Sequence, residues 1–278
     1  VDAYNAILAE ANGSAADANT ADPSTQQYAA IGADIGAAAS EPQKLDLLND
    51  IVKNQAVSGV DTIAEINQLA SIANTIQSVV AGDTNSTPPS TTDFETIGVT
   101  GVTTDNLPAL INVLRAQTDD GSATDTVAKL QALVDAIAPN INLISIAAEG
   151  DSANTLTTAE FTSAGVINVD SNNLPSVLDA LNTSTNNGAA TDTTAEVQTI
   201  VDAYNAILAE ANGSAADATS TNPTTADYTA IGVPSGTLNA AGSTQLLNDI
   251  IGDKSTADID TVAEITALAA LAQSIQDV

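Results

Sequence analysis

Apolar residues along this chain recur at steps of three and four, not in alternation. The clearest run is Val127, Leu130, Val134, Ile137, Ile141 and Ile144, one stripe of a long helix. Pro139 falls inside it and, lacking an N–H and crowding the preceding turn, is expected to kink or split that helix. A shorter stripe, Leu107, Leu110, Ile111 and Leu114, marks a second helix. Pro108, and Pro175 in a matching phrase, fall near the first turn, where proline is tolerated. A third kind of element is shorter still and led by an aromatic residue. Thr91-Thr92-Asp93 or Thr224-Thr225-Ala226-Asp227 precede it, which suits an N-cap. Glycines follow it where a C-terminal cap would sit. Only GVTGVT from Gly98 looks strand-like, and it is brief.

These elements repeat. Residues 1–18, VDAYNAILAEANGSAADA, return letter for letter at 201–218. Inside that interval the aromatic-led phrase recurs at Tyr28, Phe94, Phe161 and Tyr228, with spacings of 66, 67 and 67, and Gly32, Gly98, Gly165 and Gly232 close each occurrence. A leucine-rich phrase recurs from Leu45, Asn106, Asn173 and Gln245, and an Asp-Thr phrase from Asp61, Asp125, Asp192 and Asp260. Thr62 with Glu65, Thr193 with Glu196 and Thr261 with Glu264 fit the capping box that starts a helix; Lys129 stands where the second copy would have its glutamate. The reading is therefore all-α, a tandem array of three-helix bundle repeats of about 67 residues. The copies are 28–93, 94–160, 161–227 and 228–278, with 1–27 the end of a truncated copy and its linker. The chain starts without Met and inside a copy, so it reads as a piece of a larger protein. Polar stretches such as Gly82 to Pro89 and Gly213 to Pro223 read as loops and favour separate bundles over a solenoid whose neighbours share a core.

Composition narrows the function. The chain has 5 Lys and Arg against 35 Asp and Glu, a net charge of -30, and no His, Cys, Met or Trp. Without His or Cys there is no ordinary zinc, haem or iron–sulfur site, no thiolate nucleophile and no Ser-His pair. So few cations oppose nucleic-acid binding, which rests on phosphate neutralisation, and an anionic membrane surface would repel the chain. No run of about 20 apolar residues is read in the chain, so no segment is expected to span a membrane.

Two acidic groups bear on calcium. Asp119, Asp120, Gly121, Ser122 and Asp125 form one; Asp253, Asp258 and Asp260 form another. Neither matches the EF-hand spacing or a glycine-rich nonapeptide array, and equivalent turns, Ser58-Gly59 and Asn186-Asn187-Gly188, lack the acids. They read as caps and turns, with calcium the alternative. Asp119 and Asp120 as a glycosidase pair find no aromatic sugar platform. The four recurring aromatics read as core anchors and not as a binding row, since each has an apolar residue three positions on; Tyr4 and Tyr204 read as half-buried in long helices. Asn12, Asn85, Asn182 and Asn212 each open an N-x-S/T triplet, taken as loop composition. No catalytic, cofactor-binding or metal-ligating residue is assigned, no cofactor is expected, and the chain is not read as an enzyme.

The phrases GVTGVT, NLPALINVL and DTTAEVQTIVDAYNAIL resemble the tandem helical repeats of giant, type I-secreted surface adhesins of Gram-negative bacteria. The resemblance covers nearly the whole chain. It implies an extracellular, cell-surface location and a non-catalytic role as an extender that holds a binding tip away from the cell. Neighbouring copies of the same chain would be its contacts, with a host or surface protein as an unidentified partner. The alternatives are protein-binding three-helix modules, which the three-helix layout also resembles on Gram-positive surface proteins, and a calcium-rigidified spacer. The recurring positions are mainly apolar, cap or Gly positions while exposed ones drift, which favours the extender. LLNDI at Leu47–Ile51 and Leu246–Ile250 is the exception.

Overall fold

The computed structural model describes residues 1–11, 13, 21–83, 87–104, 106–118, 121–149, 155–213 and 222–277. Among these the chain is all-α, with thirteen α-helices and no strand. Numbered in chain order, α1 is Asp2–Glu10. After it come short helices α2 (Thr25–Ile31), α5 (Thr91–Thr96), α8 (Thr158–Ser163) and α11 (Thr225–Ala230). Each is followed by a medium helix, α3 (Pro42–Asn54), α6 (Leu107–Arg115), α9 (Leu174–Leu181) or α12 (Ser243–Gly252), and then by a long one, α4 (Ile63–Val80), α7 (Val127–Glu149), α10 (Thr194–Glu210) or α13 (Val262–Gln276). GVTGVT is a loop after α5, in which Gln131 of α7 pairs with both the N–H and the carbonyl of Thr100, at 2.7 and 3.0 Å. Gln198 of α10 clamps Ile167 in the same way, at 2.8 and 3.1 Å.

Capping explains where the helices start and stop. Thr62, Thr193 and Thr261 each accept from the backbone N–H three residues on, and the glutamate there reaches back to the threonine N–H. The same device opens all four short helices, with Ser24–Gln27, Ser90–Asp93, Thr157–Glu160 and Thr224–Asp227 as the pairs. For α5 the cap is Ser90, one residue ahead of the Thr91-Thr92-Asp93 phrase that marks it. At the other end Gly98 takes φ +90°, which a residue with a Cβ adopts at a cost. Its N–H bonds Glu95 O while Val99 N–H bonds Phe94 O, the paired 5→2 and 6→1 bonds of a Schellman stop. Gly32, Gly165 and Gly232 repeat the pattern. In α7 Thr126 still caps Lys129 N–H, and the lysine ammonium takes up Asp125 at 2.6 Å and Ser122 O at 2.7 Å instead of closing a box.

Pro139 does not split α7, which runs as one helix from Val127 to Glu149. All six residues of the apolar stripe on both sides of the proline are buried, and that burial outweighs one lost backbone bond. Contrary to the expectation from sequence, α7 is by length and mean hydropathy apolar enough to cross a membrane; Lys129 and Asp135 lie within it, and Leu143 and Ile146 are exposed.

The chain forms two compact units, Val1–Ile137 and Ala138–Val278, and the division falls inside α7. The first unit has one continuous core, from Ile7 through Tyr28, Leu47, Ile66, Phe94 and Leu110 to Ile137. The second has another, from Ile141 through Phe161, Val177, Tyr204, Tyr228 and Leu247 to Ala272. In the first, α4 packs against both α3 and α6; in the second, α10 packs against α9, α11 and α12. The cores within each unit are thus shared along the chain, where the polar linkers favoured separate bundles. The reason lies in the long helices. In α4 Ile66, Leu69, Ala70, Ile72, Ala73, Ile76, Val79 and Val80 are all buried, an arc too wide for one neighbouring helix to cover.

One buried polar relay occurs twice, once in each unit. Tyr28 donates its hydroxyl to Asn49 Oδ1 at 2.9 Å, and Asn49 Nδ2 donates to Pro23 O at 3.1 Å. Tyr228, Asn248 and Pro223 do the same at 2.6 and 2.9 Å. Where the aromatic is Phe94 or Phe161, the aligned medium-helix position holds Ile111 or Leu178, both buried. A phenol brings a polar partner with it; a phenyl ring brings an apolar one. Tyr28→Phe alone is expected to cost about 1–3 kcal/mol, because it leaves buried Asn49 Oδ1 unpaired, and Tyr28→Phe with Asn49→Leu should cost less than the sum of the single changes. Urea unfolding of the four-member cycle measures this; strict additivity would mean the two side chains are not coupled.

Candidate functional site

The four recurring aromatics are each 0% exposed. A row of binding rings needs accessible faces, so these side chains serve the core. A helix of six or seven residues has no stability of its own; here a capping box and one buried ring hold each in place. Tyr204 is also fully buried, with its hydroxyl on Ile259 O at 3.2 Å, which corrects its reading as half-buried. Tyr4, half-buried as read, bonds Asp61 O.

In LLNDI the second Leu and the Asn face inward in both occurrences, whereas Asp50 is half-buried and Asp249 exposed. Leu47, Leu48 and Leu247 are buried and Asn49 and Asn248 hold the tyrosines. Asp50 Oδ2 accepts from Val127 N–H at 2.7 Å, the first residue of α7. Asp179 of α9 does the same for Val262, the first residue of α13, at 2.6 Å. A carboxylate at a helix N-terminus offsets both an orphan donor and the dipole. Each cap reaches past the next long helix to the one after it, so no sequence-local signal announced it. Burial pushes the Asp50 carboxyl above its ordinary range, opposed by the Val127 N–H and by Lys53.

Of the acidic groups, Asp119 and Asp120 lie outside the described residues. Asp125 is engaged by Lys129. Asp258 accepts from Ser255 N–H and Oγ at 3.0 and 2.6 Å, which holds its carboxyl below the ordinary range. Asp260 is shifted up by burial and by Glu264. Among the described residues no three acidic side chains converge on one point. Of the N-x-S/T asparagines, Asn182 ends α9 and Asn212 lies in an exposed turn, while Asn12 and Asn85 lie outside the described residues.

Each unit carries a polar cleft. In the second, about 430 Å³ is lined by Asp170, Asn173, Ser176, Asn205, Thr256 and Asp260 among others. In the first, about 370 Å³ is lined by Asp34, Asn67, Ser71, Asn74, Thr75 and Ser78 with Gly36. Their amides hold loops. Asn173 Nδ2 serves Asn168 O and Asn205 Oδ1 at 2.6 and 2.7 Å. Asn67 accepts from Asp34 N–H, and Asn74 pairs with Ile35 O and Ala38 N–H. Asp170 accepts from the N–H groups of Asn172 and Asn173. Neither lining contains a Lys or Arg. No protein-family model, curated protein or solved structure matches the chain.

The buried phenols make a pH prediction. Burial, with Glu10, Asp179 and Glu210 respectively as the next largest upward push, holds Tyr28, Tyr204 and Tyr228 well above the ordinary tyrosine range. A folded pKa above the unfolded value stabilises fully below the unfolded pKa and is lost as pH rises through the folded one. Stability should therefore fall steeply above about pH 10. These phenols should ionise only as the helices melt, which tyrosinate absorbance and far-ultraviolet circular dichroism followed together will show. Ionisation of all the tyrosines with helicity intact would overturn the assignment.

Proposed function

We propose that the chain is a non-catalytic extender region of a long bacterial cell-surface adhesin, a tandem array of about 67-residue helical repeats that spaces a binding tip from the cell. The observation that carries this reading is where the recurrence falls. The positions that repeat are core anchors, helix caps and interior bonds such as Tyr28–Asn49 and Tyr228–Asn248, and the second Leu and the Asn of LLNDI, the one phrase that looked like a repeated surface, are buried in both occurrences. A module selected for docking a partner would repeat an outward face instead. The net charge of -30 suits a chain that must stay solvated and self-repelling at length.

Small-angle X-ray scattering with calcium and with chelator tests this. A compact globule of this length would have a radius of gyration of about 19 Å, whereas four repeats end to end should reach roughly 100 Å or more. An extended profile supports the reading, and a compact one defeats it. A profile that stiffens only with calcium would transfer the proposal to a metal-rigidified spacer.

A further inference from the structure

The long helices present one register position twice over. Counted from their N-cap threonines Thr62, Thr193 and Thr261, Ile72 and Ile76 of α4 fall in register with Ala203 and Ile207 of α10 and with Leu271 and Ile275 of α13. In α4 this pair is 5% and 0% exposed, and in α10 2% and 0%. Besides the helices that precede them, α3 and α9, both long helices are packed by neighbours that follow in sequence, α4 by α6 and α10 by α11 and α12. Ile7 of α1, identical in context to Ile207, is likewise 0% exposed, with α2 packed on its helix. In α13 the pair is 49% and 51% exposed. A polar position agrees. Gln77 of α4 is buried and donates to Thr124 O and Oγ1 at 3.0 and 3.1 Å, in the turn before the next long helix; its α13 counterpart, Gln276, is exposed. The helix α7 departs from the register, with Ala136 and Asn140 at the pair.

We infer that the exposed strip of α13, Leu271 and Ile275 flanked by Gln276, is a docking surface for the short and medium helices of a further copy of the repeat carried in the same polypeptide. The occupant follows from continuity with the interfaces already formed. In α1, α4 and α10, where this register is buried and apolar, helices from the segment just C-terminal pack on the same helix, α2 on α1, α6 on α4, and α11 and α12 on α10. The pair in α13 is as large and apolar as the pair α4 buries, so the same ridge fits the same kind of neighbour. This inference rests on the repeat reading proposed above.

The test extends the full chain. After Asp277, which is in register with Ser78, residues 79–137 of the same sequence are appended, and hydrogen exchange of the α13 amides is compared with and without the extension. Exchange should slow by about ten-fold or more in the last two turns of α13. Leu271→Lys with Ile275→Lys should leave exchange unchanged in the unextended chain and abolish the gain in the extended one. Equal exchange with and without the extension would overturn the inference, as would a gain that survives both lysines. Protection that rises with concentration in the unextended chain would also overturn it, because a second molecule would then be the occupant. Scattering of the unextended chain stays independent: an extended profile without added protection defeats the docking surface and leaves the extender reading standing.

Discussion

Lys53→Met is expected to destabilise the first unit by about 3–5 kcal/mol. The side chain of Glu10 is 0% exposed, and Lys53 Nζ lies 3.1 Å from its Oε1. Neither Glu10 oxygen meets hydrogen-bond geometry with a described residue, so the contact is an ion pair and not a directed bond. Lys53 also reaches Asp22 at 2.9 Å, and its bond to Asp22, with the negative charge of Glu10 beside it, holds the ammonium above its ordinary range against desolvation. Removing the cation strands a buried carboxylate. Removing both charges, in Glu10→Leu with Lys53→Met, should recover most of the loss, because an apolar pair of similar volume no longer incurs the desolvation cost. Urea unfolding of the three variants decides it. A loss below about 1 kcal/mol for Lys53→Met would mean that the carboxylate reaches water or a proton without the lysine.

Phe94→Ala should cost about 3–5 kcal/mol, and Phe161→Ala the same, since each ring is fully buried in a unit core. The helices that carry them are six residues long, so the ring is most of what ties each to the core. Ile146→Ser, at a site 56% exposed, should fall within about 0.5 kcal/mol. Denaturant midpoints separate the two cases. Phe94→Ala with unchanged stability would return the aromatics to a surface role.

Much of this was legible in sequence because it is local. Helix starts declare themselves through a threonine and a glutamate three residues apart, and the boxes at Thr62, Thr193 and Thr261 formed as spaced. The stops at Gly98 and its counterparts need only a residue that tolerates positive φ. The stripe from Val127 to Ile144 is a consequence of helical periodicity, and all of it is buried. Four aromatics with an apolar residue three positions on had to face inward.

The tertiary structure decided whatever depends on residues far apart in sequence. Whether successive segments share a core turned on the breadth of the apolar arc around α4, which packs against both α3 and α6 although a polar linker intervenes. Asp50 and Asp179 cap helices 77 and 83 residues away, where no local pattern points. The letter-for-letter repeat of residues 1–18 at 201–218 gives the clearest case: Tyr4 is half-buried and Tyr204 wholly so, and Lys53 stands beside Glu10 where Gly252 occupies the same register in the later copy. Sequence by itself determined which residues are helical and which face inward, through spacing and capping chemistry. Only packing determined what covers each face, because burial is a property of the neighbours a side chain meets.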